Sequence, residues 1–194
     1  MTLTQQEAQA EAPQRRTYIL VDGENIDATL GQSILGRRPQ PHERPRWDRL
    51  LQFAEDHWDQ QTRGLFFLAA NGELPMPFVQ ALTSMGFRPV PLSGRADEKV
   101  VDVGIQRTLD ALLGRDADVV LASHDADFAP QMEALAGDRR IGLLGFREFT
   151  ATSLAGLDGV QLFDLEYDVA AFNAELPRTR IIPLDEFDPE FFLR

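Results

Sequence analysis

The 194-residue chain contains no cysteine, which excludes disulfides, thiolate nucleophiles and cysteine-ligated zinc. No apolar run approaches the roughly 18 residues a membrane helix needs. The opening residues, Met1 to Arg16, are polar and rich in Gln, Glu and Ala, without the apolar segment of a secretory signal. A disordered lead-in over residues 1–16 and a cytoplasmic location are the expectations. Basic residues are also scarce: 19 Lys and Arg stand against 31 Asp and Glu, a net charge of −12. That balance argues against a protein that coats DNA or RNA through one broad basic face. It leaves room for an acidic site with a local basic rim, whose contact with nucleic acid would lean on a metal ion. There is no Walker-type phosphate loop and no internal repeat.

What is present fits one well-buried domain, with 43% hydrophobic residues. The run Val119 to Ser123 is apolar and ends abruptly in His124-Asp125-Ala126-Asp127-Phe128. Tyr18 to Val21 stops in the same way, at Asp22-Gly23-Glu24-Asn25. Continuous apolar runs of this length read as parallel strands buried on both faces. Further strands are expected at Gly64–Ala70, Phe87–Leu92, Arg140–Gly145 and Val160–Phe163. Pro89 and Pro91 place the Phe87 strand at a sheet edge. Between them, Trp47, Leu50, Leu51, Ala54 and Trp58 recur at helical spacing, as do Phe78, Ala81, Leu82 and Met85, and Val101, Ile105, Thr108 and Leu112. Pro130 opens a short helix and another lies near Ala151–Leu157. Gly31 to Arg46, rich in Gly, Pro and Arg, reads as a loop, and Asn71-Gly72 as a turn. Alternating strands and helices argue for an α/β fold around a parallel sheet.

Ligands of such sheets bind beyond the carboxyl ends of the strands, where strand order reverses. If the Asp22 and Asp125 strands are neighbours there, Asp22, Asp125 and Asp127 converge, and Asp102, in the first turns of its helix, can lie over the same crevice. Four carboxylates form an all-oxygen donor set that suits Mg²⁺ or Mn²⁺. Two readings stand for Asp125-x-Asp127: a metal site, or simple capping of the helix that Pro130 opens. The acid at the end of the first strand and Asp102 weigh towards the metal site. Asp22 and Asp125 are the expected direct ligands, with Asp127 and Asp102 holding a second ion or water.

Val21-Asp22-Gly23-Glu24-Asn25, Lys99-Val100-Val101-Asp102-Val103 and Leu121-Ala122-Ser123-His124-Asp125-Ala126-Asp127-Phe128 resemble, in order and spacing, the motifs of NYN domains, the LabA-like branch of the PIN-like nucleases. The resemblance covers about Thr17 to Phe163. It implies a three-layer PIN-like (Rossmannoid) domain over residues 17–165, with a central, mostly parallel sheet and a C-terminal extension over 166–194. It also implies metal-dependent cleavage of RNA, with Asp22, Asp102, Asp125 and Asp127 as catalytic and metal-holding residues. Asn25 falls on the motif-one Asn, and Lys99 on a basic residue ahead of the helix acid. His124 departs from the pattern, where Gly is usual.

Other assignments are less determined. Asn25 could orient a carboxylate or a phosphate, or merely form a turn. Ser123 could touch phosphate or cap a strand end. Lys99 could pair with a phosphate or with Asp102. His124, a lone loop histidine, is expected to be exposed. Arg37, Arg38, His42, Arg44, Arg46 and Arg49 make the most basic stretch and could rim the crevice, with Trp47 or Phe128 offering a stacking face to an unpaired base. Single-stranded or looped RNA is then the expected substrate, and self-association remains open. The acidic and aromatic segment Asp185 to Phe192 either packs back on the domain or binds a protein partner. The competing functional class is a non-catalytic regulatory or binding module of the same fold, which the intact acids oppose. A nucleotide-sugar glycosyltransferase would not need Asp22 or Asp102, and Glu24 spoils an Asp-x-Asp phosphatase motif.

Overall fold

A computed structural model describes residues 15–70, 72, 74–95, 97–178, 182 and 184–193. Among these, six strands form one sheet: β1 (Arg16–Asp22), β2 (Thr62–Ala69), β3 (Phe87–Leu92), β4 (Ala117–Ala122), β5 (Ile141–Gly145) and β6 (Val160–Asp164). Their spatial order is β3-β2-β1-β4-β5-β6, and every neighbouring pair is parallel. Strand order therefore reverses between β1 and β4, where Val21 lies opposite Ala122.

Both faces of the sheet are covered, which explains why the central strands read as unbroken apolar runs. Alternate side chains of one strand go to opposite faces. Ile19 and Val21 of β1, with Val120 and Ala122 of β4, pack under α2 (Trp47–Trp58) and α3 (Met76–Ser84). Leu20, Val119 and Leu121 pack under α4 (Val100–Leu112), α5 (Ala129–Leu135) and α6 (Thr152–Ala155). The result is three layers, helix on sheet on helix. β3 does lie at an edge, since Pro89 and Pro91 have no N–H to give to a second neighbour.

Two expectations change. The supposed loop from Gly31 begins as helix. α1 (Gly23–Ala28) runs directly into a π-helical stretch, Thr29–Leu35, that ends at Gly36 in the left-handed region (φ 65°). Ile26 and Leu30, one helical turn apart, are both fully buried and anchor it, a pair too short to show as a periodic stripe. The chain beyond β6 is also more deeply integrated than a plain extension. Leu165, Val169, Ala171 and Leu176 join the first core, and the Ala171 carbonyl accepts from Arg46 N–H at the start of α2. The distal aromatics differ from these. In and beside the short α7 (Pro189–Phe192), Phe191 meets Tyr167 edge-on, while Phe187, Phe191 and Phe192 stay about half exposed. The lead-in lies outside the described residues up to residue 14. Arg15 reaches Asp118, and Arg16 opens β1. Asn71 of the expected turn also lies outside them.

Candidate metal centre

The site forms where β1 and β4 end side by side. Asp22 closes β1 and caps α1. Its Oδ1 accepts from the Asn25 N–H (3.1 Å) and its Oδ2 from the Ser123 hydroxyl (3.1 Å). The residue is 3% exposed, and burial pushes its carboxyl up to about 6, with the charges of Asp102 and Glu24 adding to the rise while the two hydrogen bonds oppose it. Ser123, also buried, accepts in turn from the Asp125 N–H (3.2 Å). Its hydroxyl thus ties the end of β1 to the loop after β4 and is not aimed at a substrate.

Asp125 caps a single 3₁₀ turn, Ala126–Phe128, by accepting from the Asp127 N–H (3.0 Å). Local capping and participation in a cluster therefore coexist in one side chain. Asp125, Asp127 and Asp102 each bring a carboxylate oxygen within 4.8 Å of the other two. Asp102 stands in the first turn of α4, and Lys99, just ahead of that helix, sends its ammonium to Asp102 (3.4 Å) and Asp127 (3.5 Å). Asp22 is not in this group. It backs the cluster through Ser123, so the directly clustered set is Asp102, Asp125 and Asp127, not the expected Asp22 with Asp125.

The donor chemistry fits a hard divalent cation. All three groups are carboxylates, and oxygens on opposite sides of a Mg²⁺ ion lie about 4.2 Å apart at bonds near 2.1 Å. Small side-chain adjustments from the present spacing would let the three share one ion.

His124 is the residue the sequence concealed. It is 7% exposed, contrary to the expected exposed loop position. Its Nε2 accepts from the Phe146 N–H (2.8 Å), so Nδ1 carries the hydrogen and donates to Asn25 Oδ1 (2.9 Å). The same Asn25 oxygen accepts from the His124 backbone N–H (2.9 Å). Burial pushes the imidazole pKa down to about 4, and it stacks on the Phe146 ring. Gly145 makes room for it, since a Cβ there would lie 2.6 Å from Nε2. Asn25 and His124 together bolt the ends of β1, β4 and β5. The side-chain oxygen of Asn25 is therefore spent on His124 and is not free for phosphate.

Most arginines of the basic stretch are already engaged. Arg37 pairs with Glu43, Arg44 makes a bidentate pair with Asp27 (2.6 and 3.1 Å), and Arg49 holds the carbonyls of Ala170 and Phe172. Arg38 is exposed and, among the described residues, forms no ion pair. It lines a cleft of about 640 Å³ with Glu24, Asp27, Gln32, Arg37 and Pro39. Trp47 and Phe128 are both buried in the cores, and neither can stack on a base. They are large apolar groups next to strand ends, where the sheet and helices close over them.

The NYN domain family matches residues 16–158. The chain belongs to the NYN family. That places it in the PIN-like nuclease superfamily, and its three-layer parallel fold agrees. The crystal structure of a protein of unknown function from Vibrio parahaemolyticus is similar in fold, with a TM-score of 0.62 at 17% identity, covering 79% of this chain and 94% of that one. No curated protein matches the chain. The match ends before β6, so the segment from Leu165 to Leu176, which places four residues in the first core, lies beyond the part that matches the NYN family. Among the described residues, no helix is long and apolar enough to cross a membrane.

Proposed function

We propose that this NYN-domain protein is a Mg²⁺- or Mn²⁺-dependent endoribonuclease acting on single-stranded or looped RNA. One observation carries the reading: Asp102, Asp125 and Asp127, from two separate parts of the chain, gather at the switch point of the sheet in a member of a nuclease superfamily. A divalent ion bound there would activate a water for in-line attack on phosphorus and neutralise the leaving oxygen. The residues supply the rest. Asp102, Asp125 and Asp127 hold the ion and orient what it binds. Asp22 and Ser123 fix the Asp125 loop from behind, and Asn25 with His124 fixes both strand ends. Lys99 and Arg38 are the cations available to a phosphodiester backbone, while Arg37 and Arg44 serve to shape the loop that presents Arg38.

Incubation with short single-stranded RNA tests this directly. Cleavage is expected with Mn²⁺ or Mg²⁺, to stop on chelation, and to fall at least about 10²-fold in Asp125→Asn. Turnover that survives both chelation and that substitution would sink the proposal.

A further inference from the structure

The acidic triad already has a cation against it. The Lys99 ammonium lies 3.4 Å from Asp102 and 3.5 Å from Asp127, two of the three groups that would hold a metal. Lys99 is also the chain's single lysine, every other Lys or Arg position being arginine. Its side chain is 69% exposed, so the fold does not confine it there, and among the described residues the two carboxylates are its polar partners. An ammonium on a flexible four-carbon stem is a point charge that can leave a carboxylate pair without disturbing packing. A guanidinium fork would grip such a pair bidentately.

We propose that Lys99 is a built-in competitor for the divalent ion. It neutralises Asp102 and Asp127 while no metal is bound, and metal entry displaces it. The three carboxylates, crowded within 4.8 Å, repel one another, and the ammonium relieves two of them. A metal must outbid that local charge, so Lys99 sets the concentration at which the centre fills. Once displaced, it remains tethered one residue ahead of α4, beside the place a phosphate anion would take. The inference rests on the metal-centre reading given above.

Two measurements without RNA test it. Calorimetry at low ionic strength should show Lys99→Met binding Mn²⁺ about three- to tenfold more tightly than wild type, the range a screened unit charge a few ångströms away commands near a surface. Lys99→Arg should bind no more tightly than wild type. In wild-type protein, reductive methylation with ¹³C labels Lys99 as the sole lysine and keeps its charge. Its resonance should shift on Mg²⁺ titration and level off at the concentration where calorimetry reports saturation. Equal or weaker Mn²⁺ binding by Lys99→Met, or a Lys99 resonance that stays fixed while wild type fills with metal, would overturn the competitor role alone. Binding by neither protein would overturn the metal centre and this inference together. The substituted side chain is exposed and retains its stem, so misfolding does not confuse the result.

Discussion

At the residue scale, Asp22 and His124 are perturbed by the same burial with opposite consequences. The Asp22 carboxyl is raised from 3.8 to about 6, so the folded state holds a proton that the unfolded chain has lost. Its contribution is present below pH 4 and is lost as pH rises from about 4 to 6, by up to about 3 kcal/mol. The His124 imidazole is lowered from 6.5 to about 4, so here the unfolded chain binds the extra proton. Its contribution is present above pH 6.5 and is lost as pH falls towards 4, by a similar amount. Between pH 4 and 6 the two slopes oppose each other. Asp22→Asn removes one of them, keeps an acceptor for the Asn25 N–H, and meets the Ser123 oxygen with an amide N–H donor in place of an accepting oxygen. Metal-free Asp22→Asn should therefore be more stable than wild type at pH 7, by about 1–3 kcal/mol in denaturant titrations. Its advantage should shrink below pH 6 and vanish near pH 4. An advantage that grew on acidification would show that Asp22 is not the buried carboxyl described. His124 was invisible in the sequence because its burial depends on Phe146 and Gly145, residues of another strand end.

At the scale of elements, the strand ends are held by side chains from beyond the region that matches the NYN family. The Arg178 side chain is 5% exposed and pairs with Glu148, with Glu166 (2.7 Å) and with the fully buried Asp164 at the end of β6 (2.9 Å). Its guanidinium also lies about 5 Å from the Phe146 and Tyr167 rings. Phe146 is the residue whose ring stacks on His124, so the cation of the C-terminal segment and the histidine of the site share one aromatic neighbour. Removing one partner from such a buried group leaves uncompensated charge. Arg178→Met should cost about 3–5 kcal/mol, measured by thermal or denaturant unfolding. A loss within about 0.5 kcal/mol would mean that solvent reaches these carboxylates. The strands themselves were legible, because β1 and β4 are apolar on both faces and β3 carries two prolines. α1 and its π-helical continuation were not, because their buried stripe is only Ile26 and Leu30, just ahead of the stretch from Gly31 that composition marks as loop.

At the scale of the whole molecule, the division near Arg178 matters more than the end of the family match. Ending the chain after Arg178 should shift Tm by no more than a few degrees, since Leu184, Phe187, Phe191, Phe192 and Leu193 remain substantially exposed. Ending it after Glu166 removes Val169, Ala171 and Leu176 from the first core and should leave a protein that is unfolded or melts far lower. Circular dichroism melts separate the two, and equal melting points would refute the assigned role of the segment. The net charge of −12 also bears on function at this scale. With Arg37, Arg44, Arg46 and Arg49 engaged, Arg38 is, among the described residues, the loop arginine left for a backbone phosphate. Arg38→Ala should lower RNA affinity in Mn²⁺ and reduce the slope of log affinity against log salt by about 0.7 to 1. An unchanged slope would remove Arg38 from the substrate path.

Layer architecture, the edge position of β3 and the identity of the acidic motifs were written into local pattern: strands buried on two faces must be apolar throughout, and proline cannot serve a central one. Which acids actually meet was not local. Asp22 and Asp125 look alike along the chain, each an acid that ends an apolar run. Only the pairing of β1 with β4 turns one inward onto Ser123 and leaves the other to face Asp102 and Asp127. The same holds for the arginines, whose charges look available until folding brings Glu43 and Asp27 to them. Hydrophobic periodicity is a property of neighbours in sequence, whereas desolvation and ion pairing depend on neighbours in space.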